Sequence, residues 1–246
     1  MMLRVREALG VGGFFEGAGT PRYVGATADP VAATTMTRIV VVAPTRFVVR
    51  PSATNNLQVW WENARVNTAG WRMYWHDNLS QARFVVADGG GVGRTCSVSL
   101  ELPPYPKLVV FAGAYDNVTI IGRTSENQTG SQPCVGITAS VQAAEVGIRD
   151  TQNNQASLNW AVLACLGTNL VARTDPQLAA DIATIQDNLE QGRDLRQGLA
   201  WSPQAYLDGR DVADVQPPRA TWVDRASGLA LTRGGLPSAF AFPARF

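Results

Sequence analysis

Between Arg38 and Ser125 the apolar positions come in short β-branched and aromatic runs, broken by polar or glycine-rich turns. This texture predicts strands at the spacing of a β-sandwich, because side chains on a strand point alternately to two faces. The runs are Arg38–Val42, Arg46–Arg50, Asn55–Trp61, Gly70–His76, Ala82–Ala87, Arg94–Leu102, Lys107–Tyr115 and Val118–Arg123. Leu57, Val59 and Trp61 make one apolar row, Val98, Leu100 and Leu102 a second, and Leu108, Val110, Ala112 and Ala114 a third. Such rows form the facing layers of a core. By the same alternation Trp60 must point away from Trp61, onto an outer face that also carries Arg72 and Tyr74.

The flanking segments read differently. Residues 1–37, rich in Gly, Ala and Thr with Phe14, Phe15 and Tyr23, are expected to form an extended N-terminal arm. Residues 38–125 are the sandwich, and 126–153 a linker in which Val135–Val141 could be a further strand, on the sandwich edge or against a neighbouring chain. Over 154–200 the period becomes helical. Leu158, Val162, Cys165 and Leu166, with Trp160 and Leu163 beside them, predict a buried helix across Ala156–Ala172. Thr174-Asp175-Pro176 then starts a second helix carrying Leu178, Ile182, Ile185 and Leu189 on one stripe and reaching toward Leu199, so the two make a helical hairpin. From Trp201 to Phe246 prolines interrupt every element, yet Trp222, Leu229, Leu231, Phe240, Phe242 and Phe246 are costly to leave in water. That predicts a second arm, 201–246, lying on its own body or on a neighbour.

Ala43-Pro44-Thr45-Arg46-Phe47-Val48-Val49 resembles the opening strand of fibronectin type III domains, and Leu57-Gln58-Val59-Trp60-Trp61 their second strand with its core tryptophan at Trp61. Gly70-Trp71-Arg72-Met73-Tyr74-Trp75 looks like the third strand, Leu102 to Leu108 like the family's corner, and Val110, Ala112 and Ala114 like the penultimate strand. Leu108 stands where that family usually has a corner tyrosine, whose hydrogen bond back to the main chain cannot form here. The resemblance covers residues 43–125 and implies a mainly β fold: a fibronectin type III-like or broader immunoglobulin-like sandwich, with the helical hairpin and the two arms appended.

Composition narrows the chemistry. Hydrophobic residues are 46% and charged residues 17% of the chain, enough for a packed core. A net charge of +1 provides no field to gather phosphate, so nucleic acid is not an expected partner. No stretch reaches the roughly 18 apolar residues of a membrane span, and the stretch Glu7–Gly19 lacks the apolar core of a signal peptide, so folding in a cytoplasm is expected. The three cysteines, Cys96, Cys134 and Cys165, are odd in number and widely spaced, which points to buried thiols in place of a disulfide framework. With His76 the sole histidine, a zinc site would need carboxylates for most ligands. Asp88 to Thr95 is glycine-rich but lacks the lysine and following helix of a phosphate-binding loop. His76-Asp77 could pair a base with a carboxylate, but no nucleophile can be assigned to them, and Asp181, Asp187, Glu190 and Asp194 read as a solvated helix face.

These readings leave no catalytic, metal or cofactor residue to name, and the expectation is a structural protein and not an enzyme. Sandwiches of this type with apolar arms resemble neck, tail, fibre-attachment or surface components of bacteriophage-like particles, assembled in a bacterial cytoplasm through contacts with other virion proteins and with copies of the same chain. The assembly interface would comprise Phe14, Phe15, Trp60, Trp222, Phe240, Phe242 and Phe246. The alternative is a carbohydrate-binding or adhesion module that takes a glycan receptor on exposed aromatics such as Trp60.

Overall fold

The computed structural model describes residues 22–28, 35–44, 57–65, 69–76, 79–87, 95–102, 108–137, 143–150, 160–211 and 221–234. The strands of the first half are β1 (Arg22–Ala28), β2 (Met36–Pro44), β3 (Leu57–Arg65), β4 (Ala69–His76), β5 (Gln81–Ala87), β6 (Thr95–Glu101) and β7 (Val109–Tyr115). Then come β8 (Thr119–Thr124), β9 (Thr129–Pro133), β10 (Ala143–Asp150), β11 (Trp160–Thr168), helix α1 (Asp175–Glu190), β12 (Ala205–Asp208), β13 (Thr221–Val223) and β14 (Ala230–Gly234). The protein is mainly β. Its strands form an eight-stranded sheet, β13-β14-β1-β10-β3-β4-β5-β6, and a six-stranded sheet, β12-β11-β2-β7-β8-β9.

The two sheets face each other across one core. Met36, Val40, Val42, Phe111 and Tyr115 come from the smaller sheet; Trp61, Trp71, Met73, Trp75, Phe84, Val98 and Leu100 come from the larger. Close approach is written into two glycines of the smaller sheet. A Cβ on Gly113 would stand 2.4 Å from the Phe84 ring, and one on Gly167 would stand 2.5 Å from Trp61. Either would displace an aromatic ring that fills the gap between the layers.

The smaller sheet is covered on its other face too. Ile39, Val41, Val110, Ala112 and Ala114, the alternates of the inward rows, meet Leu178, Ile182, Ile185 and Leu189 of α1. The helix begins as its sequence dictates: Pro176 lies in the first turn, and the Thr174 N–H donates to Gln177 Oε1 at 3.0 Å. It ends at Glu190, short of Leu199, where Gly192 takes a φ of +66° and its N–H donates to the Leu189 carbonyl. Burial on both faces explains why β7 is apolar at nearly every position.

Several expectations are corrected. The segment 160–168 is strand β11, so the expected helical hairpin contains one helix among the described residues. A register shift between Val162 and Ala164 breaks the alternation, so Val162 and Cys165 both face the inter-sheet core while Leu163, Ala164 and Leu166 face α1. That bulge writes a spacing of three into a strand, the signal read as helical. Trp60 does not point outward. Val59 pairs with Tyr74 and Trp61 with Met73, leaving Trp60 as the extra residue of a bulge, fully buried in the same core as Trp61. Cys96 and Cys134, expected as thiols, form a disulfide with Cα atoms 5.8 Å apart; Cys165 is a buried thiol.

The sheets also draw on segments outside the expected sandwich. β1 lies between β14 and β10, and β11 to β14 supply strands to both layers, so neither sheet is completed within 43–125. Residues 134–137 form no strand, and the remainder of Val135–Val141, like Arg46–Arg50, lies outside the described residues.

Candidate functional site

The face of β4, β5 and β6 that looks away from the core follows directly from alternation. Trp71, Met73 and Trp75 turn inward from β4, so Arg72, Tyr74 and His76 turn outward; Ala82, Phe84 and Val86 leave Gln81, Arg83 and Val85; Cys96, Val98 and Leu100 leave Ser97, Ser99 and Glu101. The register aligns these side chains into three cross-strand rows. They are Arg72–Val85–Ser97, Tyr74–Arg83–Ser99 and His76–Gln81–Glu101.

The face grades from closed to open. Toward β3 it is buried: Arg72 pairs with Glu62 at 3.5 Å, and the two side chains are only 7% and 4% exposed. The Arg72 guanidinium also lies 6.0 Å from the Tyr74 ring centre, and Tyr74 and His76 are tilted rings 6.4 Å apart. Toward the β6 edge, Gln81, Arg83 and Ser97 are half-buried and Ser99 and Glu101 exposed. Arg83 donates from Nη2 to Gln81 Oε1 at 3.0 Å, while its Nε is buried without a hydrogen-bond partner. Beside the last row, the β4–β5 turn presents Leu79, 46% exposed, and is tied down by the Leu102 N–H donating to the Ser80 carbonyl at 3.3 Å.

A second polar cluster closes the opposite edge of the body, where β12 of one sheet meets β13 of the other. Asp208 is buried and accepts from the Tyr206 hydroxyl at 2.7 Å, from Arg210 Nε at 2.9 Å and from Arg225 Nη1 at 2.9 Å. Arg225 makes a two-pronged pair with Asp211 at 2.7 and 2.6 Å. Burial works to raise the Asp208 carboxyl, but Arg210 and Tyr206 overcome it and hold the group below the usual carboxylate range. Burial, reinforced by the neighbouring Asp208 charge, pushes the Tyr206 phenol well above its usual range. Every cation here already has a carboxylate, and this is structural chemistry.

Of the sequence-predicted interface residues, the structure describes Trp60 and Trp222. Trp60 and Trp222 are buried in the shared core, at 0% and 1% exposure, and Trp222 Nε1 donates to the Asp208 carbonyl at 2.9 Å. Phe14, Phe15, Phe240, Phe242 and Phe246 lie outside the described residues, as do Asp77 and the glycine-rich turn before Thr95. Arg72 and Tyr74 do share the outer face expected of them. Asp181, read as solvated, is buried: Arg173 donates to it at 2.8 and 3.0 Å, and Trp201 Nε1 at 2.9 Å. Gln81, Arg83, Ser97, Ser99 and Glu101 were overlooked, although the rule that put Val98 and Leu100 inside places Ser97, Ser99 and Glu101 outside. Among the described residues no three of His, Cys, Asp and Glu gather where they could hold a metal ion.

No protein-family model and no curated protein matches the chain. Solved structures similar to it include the Ruminococcus gnavus IT-sialidase CBM40 bound to α2,3-sialyllactose, at 11% identity and a TM-score of 0.47 over 68% of this chain and 93% of that one. The heptameric SAP-like pentraxin of Limulus polyphemus is similar at 13% identity and a TM-score of 0.46, over 68% and 79% of the two chains. The botulinum neurotoxin serotype G binding domain is similar at 8% identity and a TM-score of 0.43, over 64% of this chain; the match spans 36% of that structure's length.

Proposed function

We propose that this chain is a non-catalytic glycan-binding module that takes its ligand on the outer face of β4, β5 and β6. The observation that carries the reading is the set of cross-strand rows, which places aromatic, amide, hydroxyl and carboxylate side chains at adjacent positions of one rigid surface. A pyranose offers a fringe of hydroxyls and a patch of C–H groups. Gln81, Ser97, Ser99 and Glu101 can exchange hydrogen bonds with the fringe, and His76 and Leu79 can lie against the patch. Among the described residues, the open half has Leu79 as its one large exposed apolar side chain. A stable protein partner usually requires an apolar centre with a polar rim, and this face is the reverse. Strands hold such groups more precisely than loops do, which lowers the ordering cost of binding. The Cys96–Cys134 bond suits work in an oxidising setting, such as a cell or particle surface.

The test is a glycan array probed with the purified chain and with Ser99→Trp. Position 99 is exposed, so a bulky ring there blocks the face without entering the core. Binding to a defined set of glycans that Ser99→Trp abolishes, with the thermal midpoint unchanged, is the expected result. Array binding that Ser99→Trp leaves intact would move the site elsewhere, and silence on the array would end the reading.

A further inference from the structure

Resting on that glycan-binding reading, we infer that the ligand carries a carboxylate, which Arg83 and Ser99 receive in the middle row, while Glu101 and Gln81 take ring hydroxyls in the next. Arg83 is placed differently from the other arginine of this face. Arg72 has Glu62 at 3.5 Å; the one hydrogen bond of the Arg83 head, among the described residues, runs to the neutral amide oxygen of Gln81. Its Nε is buried and unmatched, so the guanidinium is partly desolvated and its charge is not met by a carboxylate. A half-desolvated cation in that state gains more from an anion than one already paired or fully hydrated.

The register supplies the second donor. Ser99 lies directly across from Arg83 on the same face and is exposed, so a group bound over the arginine has a hydroxyl donor on the neighbouring strand. Along each strand the next outward side chain comes about 7 Å further on. There the row His76–Gln81–Glu101 offers a carboxylate, which accepts hydrogen bonds but repels an anion. A sugar acid fits this division, its carboxyl over the donors and its hydroxyls over the acceptors, within about the width of one ring. Reversing the ligand would put carboxylate against carboxylate. Glu101 therefore orients the ligand and, being a diagonal neighbour of Arg83, also weakens the carboxylate contact somewhat.

The experiment is titration calorimetry with acidic glycans taken from the array and with the methyl esters of the same glycans. The ester keeps the ring and removes only the charge. Wild-type protein should bind the acid about tenfold or more tightly than the ester, as expected of a hydrogen bond to a charged group. Arg83→Gln should remove that preference while leaving ester binding in place, Arg83→Lys should restore part of it, and Glu101→Gln, which removes the nearby negative charge, should widen the preference for acid over ester. Equal affinity of the wild type for acid and ester overturns the carboxylate assignment and leaves the glycan reading standing. Absence of binding to either form removes both. An Arg83→Gln variant that loses acid and ester alike, with its fold intact, assigns Arg83 to hydroxyl recognition and also overturns the inference.

Discussion

The two long edges of the body are closed by opposite means. At one, Cys96 of β6 is bonded to Cys134 just beyond β9, so a covalent link 38 residues apart in sequence joins the outermost strands of the two sheets. At the other, β12 and β13 are joined without covalent chemistry. The Tyr206 N–H donates to Asp224 Oδ1 at 2.9 Å, the Arg225 N–H donates to the Tyr206 carbonyl at 2.8 Å, and the Asp208 carboxylate is gripped by Tyr206, Arg210 and Arg225. The covalent edge acts mainly by restricting the unfolded chain, so its contribution should depend on redox state and not on the protonation of any carboxylate. The ionic edge acts in the folded state, so its contribution should depend on pH and on every partner being present. The recognition face proposed above borders the covalent edge, on the strand that the disulfide anchors.

Removing the covalent closure should have the largest effect. By loop-closure entropy, a link across 38 residues is worth about 4 kcal/mol. Urea unfolding of the reduced protein, or of a Cys96→Ala/Cys134→Ala double variant, should show that loss, and the loss should be the same at pH 7 and at pH 4. A strong pH dependence of the difference would mean the two edges are not independent.

Next in size is the ionic closure. Asp208→Asn keeps the shape but leaves Arg210 and Arg225 facing a neutral amide; breaking a largely buried pair in this way should cost about 3 kcal/mol at pH 7. The sign of its pH dependence follows from the shift. Asp208 ionises below the usual carboxylate range in the folded protein, so its contribution is complete above about pH 4, the ordinary value for an unfolded Asp, and disappears as pH falls through the lowered folded value. The gap between wild type and Asp208→Asn should therefore narrow on acidification below about pH 4, whereas the gap caused by reducing the disulfide stays constant. A gap for Asp208→Asn that is already small at pH 7 would assign the closure of this edge to the main-chain bonds.

The same contrast explains what was legible in the sequence. β4, β5, β6 and β7 are where the runs predict them, and α1 starts at Thr174-Asp175-Pro176, because strict alternation and a capping sequence are local signals. What escaped is non-local or locally irregular. The bulge at Trp60 turns two neighbouring tryptophans to the same side, and the bulge in β11 imitates a helical period; neither is visible without the partner strand. The disulfide joins residues that only the facing of the two sheets brings together, and a count of three cysteines argues against it. The ionic edge left one hint: Asp194-Leu195-Arg196 and Asp208-Gly209-Arg210 share an Asp-x-Arg spacing, and in both the arginine bonds back to the aspartate, at 3.0 and 2.9 Å through Nε. The outer rows of β4 to β6 are implied by the inner ones, whereas the largest aromatics, the more conspicuous signal in the sequence, belong to the core.

The smallest change separates the ionic edge into its charged and its main-chain parts. Trp222 sits at the junction, its ring in the shared core and its Nε1 donating to the Asp208 carbonyl at 2.9 Å. Trp222→Phe keeps most of the apolar contact and removes that donor, leaving a buried carbonyl short of a partner. The smaller ring adds a modest packing loss, so a total of about 1–2 kcal/mol is expected at pH 7. Because the lost bond involves no ionisable group, the cost should be flat with pH, unlike that of Asp208→Asn a few ångströms away. If the cost of Trp222→Phe instead narrowed below about pH 4 in step with Asp208→Asn, the indole would be acting through the carboxylate network. The β12–β13 junction would then be a single cooperative unit whose charged and main-chain bonds form or break together.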